Sequence, residues 1–198
     1  LVRAASRPIV IAGRGSVTSG AGSEICALAA ATGALLATSL LAKGMFDGHP
    51  FNIGIAGAFS HNLARELFAD ADLVIGVGSS LGYHTTEGGY LYPDARVIQV
   101  DAKPRGLWQG GQVADLHVQA DAKRGIGALV EALEAAGHRA TGWHSGLLQE
   151  RLAAELPDPR EYLPAPGTLD PRQIVRELNQ VIPDDWDIVC GTGHFFHF

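Results

Sequence analysis

The sequence predicts an α/β fold, in which a parallel sheet is flanked by helices on both faces. Two short apolar runs, Leu73–Val77 and residues 97–100, have the composition of strands that are covered on both sides. A third such run, Pro8–Ala12, lies near the start of the chain, and helical segments separate the three runs. This alternation of strand and helix, with right-handed crossovers, gives a Rossmann-like architecture.

Composition limits the size, the location and the partners of the protein. The 198 residues are 46% hydrophobic and 18% charged, which suits one globular domain with a sizeable core plus some additional chain. A formal charge of −6 argues against nucleic acid and against an anionic membrane surface as partners. Cys26 and Cys190 make no disulfide framework, so reduced thiols in the cytoplasm are expected. No apolar run approaches the roughly 20 residues of a membrane span.

The two ends of the chain suggest a piece of a longer polypeptide. No signal peptide opens the sequence, because Arg3 and Arg7 precede only a short strand-like run. The chain begins without Met and stops beside a cluster of aromatic residues. Both features favour excision from a larger protein.

The turn after the first strand has two interpretations. Gly13, Gly15 and Ser16 stand between a strand and a predicted helix, and a helix N-terminus is a favourable place for an anion. Thr18 occupies the position of the third glycine that a full dinucleotide fingerprint requires. Two interpretations of this turn therefore stay open: it binds a phosphate, or it is a tight turn that lets the helix pack on the strand.

The next two elements are a helix and a strand. Residues 19–32 are rich in Ala and Leu and are predicted to form the helix, with Ser19 or Ser23 as its cap. Gly33 is expected to end it. Residues 34–40 are predicted to form the second strand.

Residues 43–60 are predicted to form one long loop, because four glycines interrupt any regular pattern. Their Phe and Ile content argues against disorder, and loops of this length are usually functional when they are ordered. His49 is interpreted as a hydrogen-bonding loop residue, since nothing around it has metal-ligand spacing.

Residues 78–89, called the glycine crest below, follow the helix predicted at Asn62–Ala69 and the strand Leu73–Val77. Ligands of open α/β sheets bind beyond the carboxyl ends of the strands, where small residues let the backbone approach them closely. The candidate contacts here are Gly78, Ser79, Ser80 and His84. For His84, a histidine that faces solvent is the equally open alternative.

Two aspartates follow the later strands. Asp101 stands at the end of a predicted strand. An acidic residue there usually binds the ribose in dinucleotide folds. The alternative is that Asp101 caps the turn before Pro104. Leu116–Gln119 is predicted to be another strand, and Asp121 caps the helix after it, which Gly137 ends. The expected buried stripe of this helix is Ile126, Leu129, Val130 and Leu133.

The character of the chain changes from residue 138. Residues 146–156 are predicted to form a polar helix, and a proline-rich tether follows it. Residues 168–182 are predicted to form a helix capped by Thr168 or Asp170, with a strand at residues 187–190. The predicted parts are a central nucleotide-binding-like domain, a helical and proline-rich linker and the truncated start of a further domain, at residues 1–137, 138–167 and 168–198.

Catalytic and metal-binding patterns do not stand out in the sequence. It offers no Ser-His-Asp spacing, no nucleophile elbow and no paired carboxylates in a recognisable cleft. His194 and His197 are three residues apart without a third ligand, which does not define a metal site. No catalytic residue and no metal ligand are therefore assigned.

Several segments resemble, in order and spacing, the central domain of thiamine-diphosphate-dependent enzymes of the acetolactate synthase type. They lie within residues 7–123 and read RPIVIAGRGS, KGMFDGHPFNIGIAG, ADLVIGVGSSLGYHTT, ARVIQVDAKP and DLHVQADAK. The later stretch LDPRQIVRELNQVIPDDWDIVCGTGHFFHF resembles the opening of the C-terminal, diphosphate-binding domain of that family.

The resemblance implies a parent enzyme with three α/β domains. Thiamine diphosphate would be held there through Mg²⁺ on a Gly-Asp-Gly…Asn motif, and a glutamate of the N-terminal domain would activate it. The central domain binds FAD or ADP in some members and no nucleotide in others. The implied substrate is a small 2-keto acid, and a homodimer or homotetramer is implied for the full-length protein. Because the glutamate and the metal motif are missing here, this piece is expected to be inert alone.

The resemblance also implies site residues. Gly13 and Gly15 match the family's first glycine turn, and Gly57 matches a loop glycine near the flavin. Asp101 and Asp121 match two acids near the adenosine part.

The crest departs from the pattern of flavin-binding members. Ser80, Leu81 and His84 stand where those members carry two arginines and a Phe. Loss of both arginines removes the fixed positive charges that would offset a pyrophosphate, which argues against FAD.

At the end of the chain, Gly191 and Gly193 match the turn that contacts thiamine diphosphate. His194 stands where Gln is common, and it can still donate a hydrogen bond to a phosphate oxygen. Two alternatives to this assignment stay open: a stand-alone NAD- or FAD-binding module, and a purely structural oligomerisation domain.

Overall fold

The computed structural model describes residues 1–103, 113–155, 163–183, 185–186 and 188–189. The chain divides into two compact units, residues 1–155 and 156–198. The first unit contains the sheet, and the second contains one described helix. The boundaries predicted at residues 137 and 167 stay a prediction.

The first unit is built on a six-stranded sheet in which every pairing is parallel, with the order β3-β2-β1-β4-β5-β6. The predicted α/β, Rossmann-like fold is thereby confirmed. The strands are β1 Pro8–Ala12, β2 Leu35–Thr38, β3 Asn52–Ile55, β4 Leu73–Val77, β5 Arg96–Asp101 and β6 Leu116–Gln119.

Helices connect the strands of the first unit and cover its sheet. They are α1 Arg14–Ser19, α2 Gly22–Thr32, α3 Asn62–Ala69, α4 Tyr83–Thr86, α5 Ala122–Ala135 and α6 Gly146–Ala154, and the second unit contains α7 Pro171–Val181. Short 3-10 helices lie at Val2–Ala4, Leu40–Ala42 and Glu87–Gly89. Among the residues that the structure describes, no helix is both long and apolar enough to cross a bilayer.

The core has two layers because alternate residues of each strand point to opposite faces. On one face, Val10 and Ile75 pack in a cluster that includes Ile25 of α2 and Ile126 of α5. On the other face, the neighbouring strand residues pack with Phe68 of α3 and Leu148 of α6. Strands β1 and β4 are buried along their whole length, which explains their nearly unbroken apolar sequences.

The helix predicted at residues 19–32 is found as α2, but it begins three residues later, at Gly22. A separate helix that was not predicted, α1, precedes it and ends at Gly20, whose φ of 64° is left-handed. Ser19 and Ser23 do not cap α2; its N-cap is Ala21, which makes no side-chain cap hydrogen bond. Gly33 ends α2 as predicted, with a φ of 75°.

The prediction that residues 43–60 are one loop is wrong in part, because they contain the edge strand β3. Its pairing with β2 is irregular, with a register shift between Leu36 and Thr38, and Gly54 inside it has a φ of 76°. These features hide the two-residue period that identifies a strand. The interpretation of His49 is confirmed, since the Phe51 N–H donates to its Nδ1 atom at 3.2 Å.

Most other elements agree with prediction to within a few residues. The bounds of α3, β4 and β6 are as predicted, and α5 has the predicted Asp121 cap. Gly137 follows α5 with a φ of 62°. Strand β2 and helices α6 and α7 are shorter than predicted, and Asp170 rather than Thr168 caps α7. Most of the strand predicted at residues 187–190, and the turn after it, lie outside the described residues.

Candidate functional site

The predicted glycine turns meet at the carboxyl ends of β1 and β4. The Gly13 N–H donates to the Val77 carbonyl, and the Gly15 N–H donates to the Gly78 carbonyl, both at 2.8 Å. A Cβ atom on Gly13 would lie 2.4 Å from the Gly78 oxygen, and one on Gly15 would lie 2.7 Å from the Gly78 Cα. Only glycine permits this approach of two backbones.

Gly78 is the centre of this contact. Its φ is 54°, and a Cβ atom there would lie 2.4 Å from the Ser16 nitrogen. Its N–H donates to the Val100 carbonyl at 2.8 Å, which links the ends of β4 and β5. The name "glycine contact" is used below for Gly13, Gly15 and Gly78.

Ser16 completes the glycine contact from α1. Its side chain is fully buried, and its hydroxyl donates to the Val77 carbonyl at 2.7 Å. The tight-turn interpretation therefore describes what Gly13, Gly15 and Ser16 do in the fold. Phosphate binding by the same residues stays a prediction.

The two serines of the crest differ in exposure. Ser79 is buried, its carbonyl accepts a hydrogen bond from the Gln99 side chain at 3.0 Å, and its hydroxyl accepts one from the Leu81 N–H at 3.4 Å. Leu81 is itself buried with a φ of 47°, and a Cβ atom on Gly76 would lie 2.8 Å from its side chain. Ser80 is half-buried. The start of the crest is thus held by core packing.

Gly57 and His84 meet through their backbones. The Ala58 N–H donates to the His84 carbonyl at 3.0 Å, and a Cβ atom on Gly57 would lie 1.8 Å from that oxygen. The His84 ring is exposed and stands edge-on to Tyr83, with 5.6 Å between ring centroids. The solvent-facing interpretation thus describes this imidazole, while its backbone fixes the loop after β3.

An ion pair that the sequence did not reveal closes the same region. Arg65 of α3 donates from Nη1 to Oε2 of Glu87 at 3.0 Å, and its Nη2 lies 3.5 Å from the Gly57 carbonyl oxygen. Glu87 has a φ of 51°, which is unusual for a residue with a side chain. Only the three-dimensional structure brings α3, the loop after β3 and the end of the crest together.

Asp101 and Asp121 lie at the carboxyl ends of the neighbouring strands β5 and β6. The Asp101 carboxylate accepts a hydrogen bond from the Lys103 N–H at 3.0 Å, and the Asp121 carboxylate accepts one from the Arg124 N–H at 3.0 Å. Both side chains therefore stabilise local turns or caps. Asp101 is half-buried and Asp121 is exposed, so ribose binding by either one stays a prediction.

The arrangement has little catalytic chemistry to offer. Within the described ranges, no group of three or more His, Cys, Asp or Glu side chains is placed to hold a metal ion. Arg65 already pairs with Glu87, and the Gly13, Gly15 and Gly78 amides already donate to carbonyls. These residues do not fit a pyrophosphate in this arrangement. Gly191, Gly193 and His194, the residues expected to contact thiamine diphosphate, lie outside the described residues.

Comparisons with known proteins agree with the resemblance. The sequence model of the family described as "Thiamine pyrophosphate enzyme, central domain" matches residues 1–133. An acetolactate synthase from Mycobacterium avium is 30% identical over 202 residues, covering 98% of this chain and 32% of that protein. A sulfoacetaldehyde acetyltransferase from Castellaniella defragrans is 32% identical over 218 residues, covering 98% of this chain and 36% of that protein.

A probable acetolactate synthase large subunit from Methanocaldococcus jannaschii is 30% identical over 135 residues, covering 67% of this chain and 23% of that protein. The chain therefore spans about a third, or less, of the length of these relatives. The family match covers the six-stranded sheet and nearly all of α5. This chain belongs to the thiamine pyrophosphate enzyme family, and residues 1–133 are its central domain.

Proposed function

We propose that this chain is the central structural domain of a longer enzyme, acetolactate synthase-like, that joins or cleaves small 2-keto acids with thiamine diphosphate and Mg²⁺. The observation that carries the proposal is the family match over residues 1–133 together with relatives about three times longer than the chain. When bound, the cofactor supplies the carbon-bond chemistry. The names of the relatives state different reactions. We therefore propose either a transferase or a lyase for the longer enzyme.

The described residues support a scaffolding role and an inert isolated chain. The glycine contact joins β1, β4 and β5 by backbone hydrogen bonds, and the Arg65–Glu87 pair fixes the crest against α3. Neither arrangement leaves a general acid, a base or a nucleophile in a cleft. The chemistry would therefore reside in the other domains of the longer protein, with this domain positioning them.

A nucleotide is the second candidate function, and the sheet order is the observation that favours it. Strand β1 lies between β2 and β4, so the order reverses at β1, and open α/β sheets bind ligands at such a switch point. The phosphates of FAD or ADP would have to compete for the glycine N–H groups there, because these groups already donate to backbone carbonyls. We propose that the site is vestigial and that this domain works without a flavin.

The proposal extends to the cellular location and the oligomeric state of the longer enzyme. The charge of −6 and the two separated cysteines suit a cytoplasmic protein with reduced thiols. We propose a homodimer or homotetramer for the longer enzyme, with no nucleic acid and no membrane as partner. The substrate is assigned only as a small 2-keto acid.

The test compares this chain with the longer polypeptide that contains it. With pyruvate, thiamine diphosphate and Mg²⁺, the longer protein should form product and bind the cofactor in calorimetry, whereas the chain alone should do neither. Tight cofactor binding by the chain alone, or no keto-acid turnover by the longer protein, would overturn the proposal.

A thermal-shift screen of the chain separates the alternatives. FAD, ADP, NAD and coenzyme A are each added at saturating concentration, and no change in melting temperature is expected. A shift with FAD or ADP would show that the nucleotide site is in use. A shift with NAD alone would favour a stand-alone binding module instead.

A further inference from the structure

Residues 141–155, called the strap below, return along the first unit after α5 and attach to it at two ends. At the first end, the Thr141 N–H donates to the carbonyl of Thr32, the last residue of α2, at 3.0 Å. A Cβ atom on Gly33 would lie 2.6 Å from the Thr141 hydroxyl, so the two segments touch closely. From here the strap leads into α6, whose Leu148 is buried in the core.

His144 anchors the first end of the strap. Its Nε2 atom lies 2.8 Å from the Ala34 carbonyl oxygen, at the start of β2. A carbonyl only accepts, so Nε2 must carry the proton and Nδ1 is bare in the neutral ring. The ring also stacks on Phe51, with centroids 3.8 Å apart and planes 3° apart. One imidazole thus joins the strap to both β2 and the segment before β3.

His49 also contacts Phe51, through a backbone hydrogen bond and through its ring. The Phe51 N–H donates to the Nδ1 atom of His49 at 3.2 Å, so Nδ1 must be unprotonated. A proton on this atom would replace an acceptor with a donor and break the bond. The rings of His49 and Phe51 also lie near each other in a tilted arrangement, with 6.3 Å between their centroids.

We propose that His49 and His144 form an acid-sensitive attachment, which holds the first end of the strap when both rings are neutral and releases it when they are protonated. Protonation of His49 breaks the hydrogen bond that orients Phe51. Protonation of His144 adds a second positive charge next to the same phenyl ring. The strap would then lose the fixed position of its stacking partner Phe51, and only the hydrogen bond from Nε2 of His144 to the Ala34 carbonyl would hold this histidine.

The surrounding charges do not oppose this effect. Burial lowers the pKa of His49, and the pKa of His144 is lowered first by burial and then by the charge of His49, against a raising effect of the Ala34 hydrogen bond. No described carboxylate is among the groups that act on either ring. Asp47 and Arg139, which flank the two segments, are exposed, and the hydrogen bonds from the strap to this part of the unit are accepted by the Thr32 and Ala34 backbone carbonyls.

The sign of the pH dependence follows from these shifts. Because the folded pKa lies below the ordinary value of about 6.5, the unfolded chain binds more protons and stability is lost as the pH falls. A cation–π attraction between a protonated His144 and Phe51 acts in the opposite direction. This attraction cannot replace the hydrogen-bond acceptor that the Phe51 N–H loses when His49 is protonated.

The far end of the strap is held by a different set of contacts. Glu155 accepts a hydrogen bond from the Leu63 N–H at 3.2 Å and lies 3.3 Å from Nδ1 of His61. The same Nδ1 atom accepts a hydrogen bond from the Ala64 N–H at 3.2 Å. The proposed release concerns only the first end of the strap, where the His144 ring stacks on Phe51.

Trp143 is the reporter, because it is half-buried at the first end and precedes His144. Replacing Trp108 and Trp186 with Phe leaves it as the one tryptophan of the chain. Acrylamide quenching of this variant is measured between about pH 8 and about pH 5, where histidine titrates. The quenching constant should rise roughly twofold as the first end detaches.

Three further variants are made in this background. His49→Gln with His144→Gln should abolish the rise, since glutamine keeps a polar side chain that does not titrate. His49→Gln alone should reduce it. His84→Gln changes an exposed histidine elsewhere and should leave it unchanged. A flat quenching profile in the single-tryptophan protein, or a full rise in the double variant, would overturn the proposal.

Hydrogen exchange of the unaltered chain gives a result that does not depend on any substitution. After correction for the intrinsic pH dependence, exchange at residues 141–145 should be faster in mild acid, whereas β4 and residues 150–155 should not change. Uniform acceleration over all of these segments would indicate general acid unfolding and would contradict a local release.

Discussion

Replacing Gly78 with alanine tests whether the glycine contact holds the fold together. The new Cβ atom would lie 2.4 Å from the Ser16 nitrogen and 2.6 Å from the Gly15 carbonyl carbon. Both neighbours are backbone atoms, so no side chain can turn aside to make room. The φ of 54° adds a second penalty, because side chains disfavour this conformation.

The two penalties differ in origin and can be separated. The left-handed conformation costs a residue other than glycine about 1–2 kcal/mol, and extra atoms in a packed region cost about 1–3 kcal/mol. We therefore expect Gly78→Ala to lower the free energy of unfolding by about 2–5 kcal/mol, out of the roughly 5–15 kcal/mol of a typical domain.

Gly20→Ala is the matched control. Gly20 has a φ of 64°, but a Cβ atom there would meet nothing within 4 Å. This variant should lose only the conformational part, about 1–2 kcal/mol. Urea unfolding followed by circular dichroism measures both variants, and the difference between them isolates the crowding. If Gly78→Ala is no less stable than Gly20→Ala, the glycines are not in close contact and the ends of the strands are open to a ligand.

The remaining predictions use the same unfolding assay. Gly57→Ala should be more destabilising than Gly48→Ala, since both positions are left-handed but only Gly57 would bring a Cβ atom within 1.8 Å of a carbonyl oxygen; equal losses would contradict the crest packing. Leu148→Ala should cost about 2–5 kcal/mol, whereas Leu147→Ala, at a position 71% exposed, should change stability by less than about 0.5 kcal/mol. A small loss at Leu148 would mean that α6 is not docked. Asp121→Ala should cost about 1 kcal/mol by removing the cap of α5, and Asp121→Asn should restore most of it; no loss in the alanine variant would show that this cap does not stabilise the helix.

The sequence predicts most of the fold because central parallel strands leave a strong pattern. Strand β4 is covered on both faces, so its five residues are nearly all apolar and its bounds can be predicted. Strand β3 lies at the edge of the sheet, where half-buried residues and Gly54 remove the pattern. The break between α1 and α2 depends on the left-handed Gly20, which composition alone does not distinguish from a glycine inside a helix.

The glycine contact could be anticipated from the sequence, but what its residues contact could not. The glycines mark places where backbones approach something closely, but the sequence does not say whether that is a ligand or another strand. Gly13 meets Gly78 because the sheet order places β1 beside β4. The Arg65–Glu87 pair has the same cause, since it joins a helix to a turn whose proximity only the assembled sheet creates.

The position of β1 in the middle of the sheet also bears on how the chain is made. Its partner β2 follows it closely, whereas β4 ends only at Val77. During synthesis, one whole side of an apolar strand therefore stays unpaired until α3 and β4 have left the ribosome. We expect this interval to be when the nascent chain is most prone to aggregate and most dependent on chaperones.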